Sequence, residues 1–217
     1  MTNEHANDQA FELHTQRVNL AEQIVTHEWA QFQLVSNEGG PAECQSNWPT
    51  FHQMRLSQFL TWPTELLTSY AADLDAADAT HRNLLTEKYG RMMASTEGDR
   101  YVREIEPHLP RLSPDRTAQQ EQIIAAQVAW ALEFREAYPR LGQAMRVLRT
   151  AEDTRNDTSF ETYLRGELGS YSDATLDLYG DLIAATTAAG KNLTAMTITY
   201  TVVLGGYADL AEAEADA

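Results

Sequence analysis

The chain has 217 residues, with 32 acidic side chains, 16 basic side chains and a formal net charge of −16, which is the size of one ordinary globular domain. This acidic balance, without any basic run, argues against binding to nucleic acid or to an anionic membrane, since both are negatively charged. No apolar stretch reaches the roughly 20 residues that span a bilayer. The polar N-terminus lacks the basic start and apolar middle of a signal peptide, so we expect a cytoplasmic protein.

Apolar residues recur at helical spacing through the first half of the chain. The glycine- and proline-containing segment at 37–41 is expected to end the first helix, and Pro63 suits the first position of a later helix because it needs no backbone N–H there. Residues 1–9 are expected to be disordered or frayed. Helices are predicted over about residues 10–36, 51–60, 63–77 and 82–94.

The second half begins with a proline-rich segment at 104–115, EIEPHLPRLSPD, which predicts an extended crossing. Ser113 and Pro114 then fit the start of a long helix. Thr158 and Glu161 have the spacing of a capping box. Helices are predicted over about residues 113–138, 139–148, 159–168 and 173–188.

The last element is ambiguous, because apolar residues alternate with threonine over residues 196–202, which is the period of a strand. No other segment offers a partner strand, and a lone strand leaves its backbone groups unsatisfied, so we interpret 193–204 as a helix. The predicted fold class is all-α: a single-domain bundle of about eight or nine helices over residues 10–207, with no substantial β-sheet. An acidic, frayed tail at 208–217 is expected to follow.

Three charged residues fall on helix faces that are otherwise apolar. Glu28 lies between Val25 and Phe32 in the stripe of the first helix, and Arg55 and Glu167 have similar surroundings. A buried charge costs several kcal/mol unless it is paired. These residues therefore predict either a structural ion-pair network or a functional site.

Lys88 is one of only two lysines in the chain and lies at the edge of an apolar helix face, beside Glu87 and Arg91. Desolvation there would lower its pKa and make it a base, a Schiff-base amine or an anion anchor; the alternative is a solvated helix lysine. The pairs Glu87–Arg91 and Glu161–Arg165 have i,i+4 spacing, which also fits simple surface contacts.

Cys44 is the only cysteine, so it forms no internal disulfide and no cysteine-rich zinc site. It is either a reactive thiol or a buried, inert side chain. No GxGxxG or P-loop motif is present, and no cofactor is evident. A metal site would have to use carboxylates alone, drawn from Glu28, Glu87, Glu161 and Glu167.

Four segments in order, HEWAQFQLVSNEGGPAECQ, FHQMRLSQFLTW, NLLTEKYGRMM and TSFETYLRGELGSYSDATL, resemble the bacterial domain of unknown function 4125 family. The likeness covers about residues 20–207. It implies longer relatives in which this domain accompanies a nucleotidyltransferase-like domain, but it implies no activity. Pro41 departs from the basic residue expected after the glycine pair. The family signature falls on Glu28, Trp29, Gly39, Gly40, Cys44, Gln45, Arg55, Ser57, Gln58, Glu87, Lys88, Tyr89, Arg91, Glu161, Tyr163 and Glu167.

The first functional hypothesis is an enzyme that acts on a small polar or anionic metabolite in a locally cationic pocket between helices, with the reaction type unresolved. The candidate catalytic residues are Lys88, Cys44, Glu28, Glu167 and Tyr89. The candidate substrate-binding residues are Arg55, Arg91, Gln45, Gln58, Glu87, Tyr163 and Trp29.

The second hypothesis is a non-catalytic helical binding or accessory domain, in which the polar residues only fix the register of the helices. A carboxylate metal-site protein is the third. Expected partners are a small-molecule ligand and either a second copy of the chain or a bacterial partner protein, with no nucleic acid and no membrane.

Overall fold

A computed structural model describes residues 2–36, 43–155 and 157–217, with side chains described over 12–36, 45–155 and 157–217. Within these ranges every regular element is helical and no strand occurs, which confirms the all-α prediction. The described ranges contain eleven α-helices: α1 (Thr2–Gln33), α2 (Trp48–Phe59), α3 (Thr64–Ala79), α4 (Leu84–Thr96), α5 (Gly98–Arg100), α6 (Pro114–Ala137), α7 (Pro139–Gln143), α8 (Phe160–Leu168), α9 (Asp173–Ala188), α10 (Leu193–Leu204) and α11 (Leu210–Asp216).

The helix count exceeds the predicted eight or nine because α5 and α11 were not expected. Helix α1 begins at Thr2 instead of near residue 10, and α7 ends at Gln143 instead of near residue 148. The predicted stop at 37–41 lies outside the described residues. No helix in the described part of the chain combines the length and the low charge that a bilayer span requires.

Side-chain caps fix where several helices begin. Ser113 accepts a hydrogen bond from the Arg116 N–H at the start of α6, as predicted. The capping box predicted for Thr158 and Glu161 is wrong. Ser159 caps α8 by accepting from the Thr162 N–H, while the Glu161 carboxylate accepts from the Thr150 N–H across the preceding loop.

Helix α10 confirms the helical interpretation of 193–204. The Asn192 side chain caps it by accepting from the Ala195 N–H. The threonine hydroxyls that gave the segment its strand-like alternation donate back along the helix, from Thr199 to the Ala195 carbonyl and from Thr201 to the Thr197 carbonyl. The alternation therefore reflects half-buried packing against α2 and α6.

The proline-rich crossing is extended only in its second half. Residues Tyr101–Ile105 form a π-turn and Glu106–His108 a 3₁₀ turn, after which the chain is irregular up to the start of α6. The tail also differs from expectation. Helix α11 contacts α7 and α10, and the Glu214 carboxylate accepts from the Arg140 and Leu141 N–H groups at 2.8 and 2.9 Å. These otherwise unpaired N–H groups at the start of α7 give the acidic tail a docking point.

The main core joins α1, α2, α3, α6, α8 and α9 through aliphatic side chains and an aromatic group of Trp62, Tyr70, Tyr171 and Tyr179. Helix α4 packs closely on α8 because Gly166 has no side chain: a Cβ there would lie 2.7 Å from the Lys88 carbonyl oxygen. This close approach brings the polar residues of α4 and α8 to the same interior as those of α1 and α2.

Candidate functional site

Arg55 on α2 and Glu28 on α1 form a buried bidentate ion pair. Arg55 Nε donates to Glu28 Oε2 at 2.6 Å, and Arg55 Nη2 donates to Glu28 Oε1 at 2.7 Å. The Tyr70 hydroxyl on α3 donates to the same Glu28 Oε1 at 2.6 Å. The fork of the guanidinium matches the two carboxylate oxygens, which is the strongest geometry for such a pair.

Glu167 on α8 collects donors from several directions. Lys88 Nζ on α4 donates to Oε2 at 2.7 Å, and Arg55 Nη1 donates to both carboxylate oxygens at 3.1 and 3.2 Å. Oε1 also accepts from Gln58 Nε2 at 2.8 Å and from the Tyr171 hydroxyl at 2.9 Å. We call Glu28, Arg55, Gln58, Tyr70, Lys88, Glu167 and Tyr171 the buried charge network.

The charges of this network cancel, since two carboxylates face one guanidinium and one ammonium. Burial raises the pKa of Glu167, but the cations Arg55 and Lys88 outweigh this effect and hold that pKa well below its ordinary value. Burial also lowers the pKa of Arg55, yet Glu167 and Glu28 raise it well above the ordinary value. Both shifts favour the charged forms of Arg55 and Glu167.

The network has almost no solvent access. Glu28 is 0% exposed, Glu167 2%, Lys88 3% and Arg55 5%. Lys88 Nζ also lies 3.7 Å from the centre of the Tyr163 ring, which closes the remaining side of the ammonium. Three of the five predicted catalytic residues, Glu28, Lys88 and Glu167, are thus linked in one cluster, with Arg55 joining the two carboxylates. The cluster as a whole spans five helices, α1, α2, α3, α4 and α8.

Other predicted site residues lie outside the network. Trp29 and Tyr89 pack on Phe32, with ring centres 5.9 and 5.8 Å apart. Gln45 Nε2 donates to the Phe32 carbonyl in the last turn of α1 and to the Val35 carbonyl just beyond that helix. The Cys44 side chain lies outside the described residues.

The four carboxylates considered for a metal site are held in separate contacts. Glu28 and Glu167 belong to the network, and Glu87 pairs with Arg82. Glu161 accepts from the Thr150 N–H and lies 3.5 Å from Arg165. Among the described residues no group of three or more His, Cys, Asp or Glu side chains is arranged to hold a metal ion.

An open pocket of about 360 Å³ lies where the start of α6 meets the turn between α8 and α9. We call it the arginine pocket. Its polar lining is Arg82, Arg111, Ser113, Arg116, Ser170, Ser172 and Asp173. Tyr171 belongs to both sites, because it lines this pocket while its hydroxyl donates to Glu167 in the network.

The three arginines of the pocket differ in how they are held. Arg82 forms a bidentate pair with Glu87 at 2.7 and 2.9 Å, so the predicted Glu87–Arg91 surface pair does not form. Arg116 donates to the Asp173 carboxylate and to two backbone carbonyls. Arg111 is exposed and forms no ion pair with any residue in the described ranges.

Arg91 lies behind the wall of the pocket. Its Nη2 donates to the Pro110 carbonyl at 2.6 Å, and its side chain packs against Gly169, where a Cβ would meet Arg91 Cδ at 2.6 Å. Burial lowers the pKa of Arg91; Tyr101 and Glu87 raise it in part, and the nearby cations Arg116 and Arg82 lower it, so that the net shift is downward. This guanidinium has no carboxylate ion pair within the described part of the chain, so it adds positive charge behind the pocket.

Sequence reasoning identified Arg91 but missed Arg82, Arg111 and Arg116. Arg116 lies one turn into α6, three residues after the cap Ser113, and Arg111, at the irregular end of the crossing, lines the same pocket. The available signal was the clustering of scarce basic residues around a proline-rich segment. The sequence could not show which helix would begin opposite that proline-rich segment and complete a pocket with its arginines.

The comparisons identify a family and nothing more specific. Residues 18–215, nearly the whole chain, match the model of the family described as "Protein of unknown function (DUF4125)". No curated protein matches the chain, and no solved structure does either. The chemistry of the site must therefore be judged from its own geometry.

Proposed function

The chain belongs to the DUF4125 family, whose description assigns no activity, and we propose that this member is a helical binding domain that holds a small anionic molecule in the arginine pocket. The observation that carries the proposal is the state of Arg111. Arg111 lines an open cavity and forms no ion pair with a described residue, in a chain with twice as many acidic as basic side chains.

The neighbours of Arg111 support an anion as the ligand. Arg116 lines the same cavity, and Arg91 adds a further guanidinium behind Pro110. Guanidinium groups match carboxylate and phosphate oxygens through paired hydrogen bonds. Two carboxylates also lie at this rim, Asp173 on Arg116 and Asp73, which accepts from the Ser172 N–H, so a ligand must compete with them.

Binding without turnover is favoured by the distribution of reactive groups. The hydroxyls of Ser113, Ser170 and Ser172 line the pocket, but they contact the Arg116 N–H, the Glu167 carbonyl and the Thr175 hydroxyl in turn. A nucleophile normally needs a base within hydrogen-bond reach, and none of these contacts supplies one. Catalysis by the network residues stays a prediction, as does an accessory role beside a nucleotidyltransferase-like partner.

The buried charge network has a structural part in this proposal. A fully paired, neutral cluster with 0–5% exposure of its charged members offers no donor to a ligand without first losing an internal partner. Its role is to hold α4 and α8 together, and these helices carry Arg91 and lead into the pocket turn at Gly169.

The proposal is tested by titrating the purified protein with inorganic phosphate and with succinate at low ionic strength, followed by calorimetry. We expect saturable binding that Arg111→Gln weakens about tenfold or more, since a hydrogen bond to a charged group contributes roughly 1.5–3 kcal/mol. Lys191→Gln is the matched control, because it removes one positive charge at the opposite end of α9. Equal binding by the Arg111 variant, or no binding of either anion, would contradict the proposal.

A further inference from the structure

We infer that the ligand is a dianionic oxyanion, a phosphomonoester or a dicarboxylate, that displaces the Asp173 carboxylate from Arg116. This inference rests on the proposed anion binding and adds the charge of the ligand and the contact that it replaces. Three features of the arginine pocket lead to it: the fixed guanidinium, the replaceable carboxylate and the charge that displacement leaves.

Arg116 is a preorganised donor. The residue is 8% exposed, and its Nη2 is fixed by the Leu168 carbonyl at 3.1 Å and by the Tyr171 carbonyl. These two bonds hold the plane of the guanidinium and leave Nη1 directed at Asp173. Its Nε is buried without a hydrogen-bond partner. Asp173 is therefore the one carboxylate that this guanidinium, with five donor hydrogens, contacts among the described residues.

Asp173 is a replaceable partner. Its side chain is 87% exposed although the arginine that it contacts is buried. An exposed carboxylate is well solvated after it leaves, and its contact with a cation is screened by water and salt, so the contact holds it weakly. It also lies in the first turn of α9, where a negative charge is favoured whether or not it contacts Arg116.

The charge that remains after displacement sets the preferred ligand. Glu87 already neutralises Arg82 through two hydrogen bonds. Arg91 behind the wall and Asp73 at the rim carry opposite formal charges. Release of Asp173 therefore leaves Arg111 and Arg116, which both line the pocket, without a carboxylate ion pair. A dianion compensates both, whereas a monoanion only exchanges one single charge for another and gains little over Asp173 itself.

The test compares monomethyl phosphate and succinate, which are dianions at pH 8, with dimethyl phosphate, the monoanion that matches the first in shape. Calorimetric titrations would be run on the wild type, on Asp173→Asn and on Asp181→Asn, a matched control with the same charge change further along α9. We expect the wild type to bind a dianion at least tenfold more tightly than dimethyl phosphate. Asp173→Asn should tighten dianion binding by about tenfold, and Asp181→Asn should leave it within about twofold.

The outcomes separate this inference from the proposal on which it rests. Whichever dianion binds more tightly, monomethyl phosphate or succinate, identifies the ligand as a phosphomonoester or a dicarboxylate. Unchanged or weaker binding in Asp173→Asn, or dimethyl phosphate binding as tightly as the dianions, would overturn the inference while Arg111-dependent binding still stood. If neither dianion binds the wild type, or if Arg111→Gln does not weaken their binding, both the proposed function and this inference are overturned.

Discussion

Replacement of Lys88 by methionine is expected to destabilise the fold strongly, because it leaves the buried charge network with one uncompensated negative charge. Lys88 Nζ donates to Glu167 at 2.7 Å, and both residues are almost fully buried. Removing one member of a buried pair typically costs about 3–5 kcal/mol. At roughly 2–4 °C per kcal/mol for a chain of this size, the melting temperature should fall by about 6–20 °C.

The double variant Lys88→Met/Glu167→Gln restores neutrality, since Glu28 and Arg55 remain as a pair. We expect its loss of stability to be smaller than the sum of the two single losses by about 1–3 kcal/mol. Lys191→Met, which changes an exposed lysine in the same way, should alter stability by less than about 0.5 kcal/mol.

Urea denaturation of the four variants and the wild type, followed by circular dichroism, measures these differences as shifts in the midpoint at constant slope. Additive single losses, within about 0.5 kcal/mol, would refute the reasoning, because Lys88 and Glu167 would then not compensate each other. A Lys88 variant that kept wild-type stability would instead favour the catalytic role predicted from the sequence. Should Lys88→Met fail to fold alone, a folded double variant would demonstrate the same compensation.

Two further predictions concern the same interior. Gly166→Ala should cost about 1–3 kcal/mol in urea denaturation, because the new Cβ would lie 2.7 Å from the Lys88 carbonyl. Gly180→Ala, whose Cβ would have no neighbour closer than 3.7 Å, should be neutral or stabilising by up to about 1 kcal/mol, and an equal loss in both would contradict the packing argument. The free energy of unfolding should fall as the pH drops below about 5. Glu167 has a lowered pKa in the folded protein, so at these pH values it is protonated in the unfolded state before it is protonated in the folded state. Glu167→Gln should flatten that acid limb of the stability curve, and an unchanged limb would show that Glu167 does not contribute to it.

The sequence was sufficient for the fold class and for most helix positions. Apolar periodicity and capping residues are local signals, and Asn83, Ser113 and Asn192 act as caps close to the predicted helix starts. Local rules also explain the errors. The Glu161 carboxylate accepts from the Thr150 N–H across a loop instead of capping α8, and the helical tail docks through Glu214 on the start of α7. Both contacts join separate segments, which local rules do not relate.

The sequence also identified the charges that had to be buried and paired. Glu28, Arg55 and Glu167 were predicted from helix faces, because a charge in an apolar stripe needs a partner. The pairing itself, with Lys88 between Glu167 and the Tyr163 ring, could not be derived from helical periodicity. It required the crossing of α4 on α8, and that crossing depends on the small size of Gly166.

By itself, then, the sequence determined an all-helical chain with a set of charges that must meet in its interior, because helix period and the cost of burying charge act within single segments. Only the tertiary structure decided that these charges pair with one another, and that the open arginine pocket, lined by Arg111 and Arg116, lies elsewhere. That site is assembled from the end of the proline-rich crossing, the start of α6 and the turn before α9, and the distances between such segments are set by packing across the whole fold.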